Sequence, residues 1–182
     1  MPQRPISNDE IDRVSGYLLS QGRKYTWLQL WPRVVSARIE FLNTLNRVTP
    51  EQAAWKPGLN DWSIEEVAQH VLDGSRRCAE LITELSNGRE PSVAPQGIGA
   101  VDPAQREADM PFPDLVDALL EDSRSFGNVI EGLPEPPAFE PTRPHPFFGE
   151  LHGRAWFMFQ RVHDLDHVNQ VNAIKETEGY PA

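Results

Sequence analysis

Arg161-Val162-His163-Asp164-Leu165-Asp166-His167-Val168-Asn169-Gln170, near the end of a 182-residue chain, sets two imidazoles four residues apart. The stretch lies inside a run that reads as one long helix, over about 150–176. On a helix, residues four apart leave the same face about one turn from each other, so a single helix can offer two nitrogens to one metal ion. Steps of 3, 4, 7 and 11 residues nearly close whole turns, so His152, Trp156, Phe159, His163, His167 and Gln170 share one narrow stripe. Trp156 and Phe159 turn that stripe inward, where the nitrogens of two imidazoles need partners. His152 stands about 16 Å from His163 at ~1.5 Å rise per residue, too far to share an ion with it.

Two ligands hold a metal loosely, and a usable site takes a third from another element. His70 is the candidate. It follows Ser63 and Glu66, an S-x-x-E capping box that opens a second helix. Ile64, Val67, Ala68, Val71, Leu72, Cys78, Leu81, Ile82 and Leu85 draw the apolar stripe of that helix as far as Asn87-Gly88, and His70 lies at its margin. Three imidazoles leave at least one coordination position open, the arrangement of catalytic rather than structural sites. A zincin-type peptidase is excluded, because that chemistry needs Glu directly after the first histidine and Asp164 stands there. Asp164, Asp166 and Glu66 are expected at a solvated edge or as groups that orient the imidazoles. Cys78 reads as core rather than as nucleophile.

Outward from these two helices, proline punctuates the chain. Ile11, Val14, Leu18 and Leu19 mark a first helix after Ser7, and Pro32 predicts a break or kink at Trp31. Val34, Val35, Ile39, Phe41, Leu42 and Leu45 carry a core helix to about Val48, and Thr49-Pro50-Glu51-Gln52 suits one short helical turn. Residues 89–111 read as a long loop. A further helix from about Pro113 turns Leu115, Val116, Leu119, Leu120, Phe126 and Ile130 inward, and residues 133–149 are again proline-rich. No strand pattern is apparent. The chain reads as all-α, with an N-terminal helical extension over 1–26 and a four-helix bundle over 27–182.

The formal net charge of −10 argues against a nucleic-acid or anionic-membrane partner. No apolar run reaches the ~20 residues of a membrane span and none suggests a signal peptide, so a cytoplasmic protein is expected. One cysteine excludes an internal disulfide.

Trp55-Lys56-Pro57, then Asp61-Trp62-Ser63-Ile64-Glu65-Glu66-Val67-Ala68-Gln69-His70, then His163-x-x-x-His167 with Gln170 together resemble the DinB/YfiT-like family. The resemblance runs from about Trp27 to Lys175. It implies an up-down-down-up four-helix bundle and a metal triad at His70, His163 and His167. It also implies transfer of a low-molecular-weight thiol, in stress response or detoxification. The expected ion is Zn²⁺ or Ni²⁺, with Fe²⁺ or Mn²⁺ as alternatives, lowering the pKa of a thiol cosubstrate so that it attacks an electrophile. Hydrolysis by water activated in the same way is the alternative, and a metal-stabilised binding bundle without activity is the third. Trp62, Arg77, His152 and Gln170 are the candidates for contact with a small-molecule substrate, and a homodimer is a further expectation.

Overall fold

Four helices open on the same reciprocal device, a hydroxyl that accepts from the third backbone N–H while the third side chain reaches back. In the computed structural model, which describes residues 7–92 and 110–182, α1 (Asn8–Lys24) is capped by Ser7 with Glu10, and α2 (Trp27–Leu45) by Thr26 with Gln29. Thr49 with Gln52 caps α3 (Pro50–Ala54), and Ser63 with Glu66 caps α4 (Ile64–Ser86). Two further helices follow, α5 (Phe112–Glu131) and α6 (Gly153–Lys175). The cap at Thr26 corrects the expected break at Pro32, because the chain turns at Tyr25-Thr26 and the proline sits inside α2. Pro32 lies on the exposed side of that helix, beside exposed Leu28, where water can meet the carbonyl left without its N–H partner.

Between α5 and α6 the chain forms a small antiparallel hairpin, β1 (Arg143–His145) with β2 (Gly149–Leu151), paired Arg143 to Leu151 and His145 to Gly149. This corrects the expectation of no strands, and α6 starts at Gly153 rather than near residue 150. Most of the loop expected over 89–111 lies outside the described residues.

Side-chain pairs fix the helix directions. Trp27 meets Phe157, Arg38 meets Asp164 and Lys175 meets the carbonyl of Thr44, so α2 and α6 run parallel. His70 meets His163 while Cys78 meets the Trp156 carbonyl, so α4 and α6 run antiparallel. Trp31 meets Phe126 while Arg38 meets Asp122, so α2 and α5 run antiparallel. The four helices are therefore up-down-down-up. α6 packs most heavily on α2 and α4, and α1 packs along α6.

The core is split in two. One apolar cluster holds Leu30, Val34, Leu81, Leu85, Phe126, Ile130 and Phe157 with Leu18 of α1. The other holds Phe41, Leu45, Val67, Val71, Leu115, Leu119, Val171 and Ile174. Between them lies a layer of buried polar groups that includes Arg38, Ser75, Gln160, Asp164 and His167. Two residues expected on inward stripes face out instead, Ile39 at 51% and Leu120 at 43% exposure. At a 3.6-residue period the inward positions of α2 and α5 are filled by Val34, Arg38, Phe41 and Leu45 and by Leu115, Leu119, Asp122, Phe126 and Ile130.

Candidate metal centre

The polar layer brings His70 of α4 against His163 and His167 of α6. Nε2 of His163 lies 3.1 Å from Nε2 of His70 and 3.2 Å from Nε2 of His167. Three nitrogens each about 2.1 Å from one tetrahedral ion stand about 3.4 Å apart, so these separations match a shared ion. Among the described residues, these three alone form a group of metal-ligating side chains, all ligand atoms within 4.8 Å of one another. The tautomer fits as well. The Nδ1–H of His167 donates to Oε1 of Gln170 at 2.7 Å, which leaves the Nε2 lone pair facing the other two rings. Gly74 of α4 packs on the His163 ring, where a Cβ would stand 3.4 Å from Cε1. Trp62 sets its edge against His70 at 5.2 Å and Phe159 packs on His163 at 5.4 Å between ring centres.

Burial holds His163 well below the usual histidine range, and His167, His70 and Arg38 add to the effect. Burial lowers His167 too, against the hydrogen bond it donates to Gln170 and the charge of Asp166. Both rings are thus neutral near pH 7, the form that ligates a metal.

The remaining candidates divide. Gln170 touches a triad member, and Trp62 packs on another. Arg77 is exposed on α4. His152, a candidate for substrate contact, is fully buried and caps α6, its Nδ1 accepting from the Ala155 N–H at 3.2 Å. Glu66 is committed to the start of α4, accepting from the Ser63 N–H at 2.8 Å and from Lys56 at 2.6 Å. Asp166 is exposed. Asp164 is no solvated edge: it is fully buried and accepts from Nε and Nη2 of Arg38 at 2.8 and 3.3 Å. Burial pushes its carboxyl up and Arg38 opposes that; a carboxyl that accepts at both oxygens is the ionised form. Cys78 is core as read, and burial pushes its thiol up, away from thiolate.

Two groups were missed in the sequence. Arg38 also donates to Asp122 at 3.2 Å, joining α2, α5 and α6 through charge. His145 of the hairpin is buried among Phe148, Trp156 and Phe159. Arg38 and Asp122 had a signal, since each is a charged residue at an inward position of its helix.

Three imidazoles converging between the second and last long helices of an up-down-down-up bundle form a group that could hold a metal ion. The chain belongs to the DinB superfamily, whose sequence profile matches residues 33–171. It is 28% identical over 152 residues to YuaE, an uncharacterized protein of Bacillus subtilis, a match covering 77% of this chain and 93% of YuaE. Among solved structures it is similar to TT2238, a four-helix bundle protein, with TM-score 0.58 and 23% identity over 81% of this chain and 99% of that one. It is also similar to YfiT from Bacillus subtilis, described as a probable metal-dependent hydrolase with an unusual four-helix bundle topology. That match has TM-score 0.51 and 15% identity, over 100% of this chain and 94% of YfiT. No described helix is long and apolar enough to cross a membrane.

Proposed function

We propose that the chain is a divalent-metal-dependent hydrolase of small molecules, with His70, His163 and His167 as ligands. The observation that carries this reading is the convergence of three Nε2 atoms at 3.1 and 3.2 Å, with the tautomer of His167 set by Gln170. An ion at this donor set, Zn²⁺ or Ni²⁺ by the preference of imidazole, supplies Lewis acidity that lowers the pKa of a water or a thiol. The protein's own groups do the rest. Gln170 holds His167 with its lone pair inward, and Trp62 and Phe159 pack on the rings of His70 and His163. The likeness to YfiT favours hydrolysis over the thiol transfer that the sequence resemblance implies, although the same three nitrogens would serve either.

The test is elemental analysis of untagged protein, wild type against His163→Ala, followed by ester and amide hydrolysis with and without added thiols. Near-stoichiometric metal in the wild type, lost in the variant, is expected, together with hydrolysis that a chelator abolishes and thiols do not accelerate. Absence of metal after incubation with Zn²⁺, Ni²⁺, Fe²⁺ or Mn²⁺ would overturn the reading. Turnover only with a thiol would replace hydrolysis by thiol transfer.

A further inference from the structure

We infer that Asp164, anchored by Arg38, is the residue that positions His163 for the metal, and that the buried Arg38–Asp122–Asp164 group is the anionic half of one charged layer. The inference rests on the metal-centre reading above. It starts from two helices, α2 and α5, that bring no imidazole to the site and yet each place a charged residue at mid-height of the core.

Arg38 is 7% exposed and Asp164 fully buried, and the Asp122 side chain is 8% exposed. One guanidinium faces two carboxylates, so the group carries one formal negative charge in excess. An uncompensated charge away from water is costly, and a neighbouring cation is the compensation that costs the fold least. The three-imidazole cluster is the neighbour: His163 adjoins Asp164 in the chain, and its Nδ1 lies 4.0 Å from Oδ1 of Asp164.

The second observation is at His163 itself. Its Nδ1 is buried without a hydrogen-bond partner. A ring that gives Nε2 to a metal carries its proton on Nδ1, and that proton needs an acceptor. His167 has one in Gln170 at 2.7 Å, whereas His163 has the Asp164 carboxylate just beyond reach. A closing movement of about 1 Å brings the pair to hydrogen-bond distance. Other buried oxygens are likewise unpartnered, among them Oε1 of Gln160, one turn before on α6, and Oγ of Ser75 on α4. Asp164 is favoured because its acceptor is charged and its position is fixed by two N–H donors of Arg38. A role for the ionic group in fold alone leaves the Nδ1 of His163 unexplained.

The experiment measures Zn²⁺ affinity by competition with a chromophoric chelator for wild type, Asp164→Asn, Asp122→Asn and Gln160→Met. Folding of each is checked by circular dichroism, and imidazole NMR is recorded on the ¹⁵N-labelled, Zn²⁺-loaded wild type. Asp164→Asn is expected to weaken Zn²⁺ about 10- to 100-fold. Asp122→Asn, which keeps an acceptor for Arg38 and removes only charge, should weaken it by a smaller factor, and Gln160→Met should leave it within about twofold. In the wild type the His163 Nδ1–H should resonate far downfield, as a proton shared with a carboxylate does. A folded Asp164→Asn with unchanged Zn²⁺ affinity overturns the inference while leaving the metal centre intact, and so does weakening by Gln160→Met alone. If Asp164→Asn does not fold, the Asp122→Asn affinity and the wild-type proton signal decide: both unchanged from an unperturbed site is the overturning result. A wild type that takes up no Zn²⁺ removes the metal centre and this inference together.

Discussion

His145 and His152 lie outside the three-histidine cluster and show how single buried rings tie the fold to pH. Each accepts at Nδ1 from backbone N–H groups, His145 from Phe147 and Phe148 at 3.1 and 3.3 Å and His152 from Ala155 at 3.2 Å. Burial lowers both to about 4. The folded value lies below the ~6.5 of an unfolded chain, so the unfolded state takes up protons first as pH falls. Their contribution is complete above about pH 6.5 and is lost as pH drops toward 4, on the order of 2 kcal/mol each. Urea denaturation of metal-free protein should therefore give a lower stability at pH 5 than at pH 7.5. His152→Asn, which keeps a capping oxygen, should shrink the difference; equal stabilities at the two pH values would refute the assignment. At this scale the sequence was legible where periodicity speaks, as at His70, His163 and His167. It misled where a residue sits at a helix boundary. His152 shares the stripe of the last helix by arithmetic, yet the helix starts one residue later and the ring serves the backbone instead.

Helices pack here through glycines whose neighbours leave no room. A Cβ at Gly153, in the first turn of α6, would stand 2.5 Å from Oγ of Ser86, 3.2 Å from its backbone N and 3.3 Å from the Ile82 carbonyl oxygen. The hydroxyl can rotate away; the backbone of α4 cannot. Gly153→Ala should destabilise by about 1–3 kcal/mol despite the better helix propensity of alanine. Gly16→Ala, with nothing within 4 Å, should stabilise α1 by up to about 1 kcal/mol. Thermal melts of the two variants should shift in opposite directions, and a shift in the same direction would refute the packing account. Helix starts were legible because Ser63 with Glu66 and Thr49 with Gln52 are local signals. The hairpin was not, because two three-residue strands are too short to establish an alternation. Pro32 misled because its cost depends on whether the freed carbonyl meets water, which only the packed helix decides.

For the whole molecule, periodicity gave the helices but not their neighbours; the up-down-down-up order came from family resemblance, and the side-chain pairs bear it out. The charged partners in the polar layer, Arg38, Asp122 and Asp164, needed three helices to be docked before their charges could be seen to meet. The joint between α4 and α6 also has a mechanical meaning. His70 and His163 are 93 residues apart in sequence, so an ion held by both is a reversible clasp around a loop that contains the rest of α4, α5, the hairpin and the first half of α6. Stretched by its two ends in a single-molecule trap, the Zn²⁺-loaded chain should keep about 300 Å of contour length hidden, at ~3.4 Å per residue, until the clasp opens. With chelator present that length should appear in the first rupture. The ion, on this account, decides how much slack the protein can pay out under load.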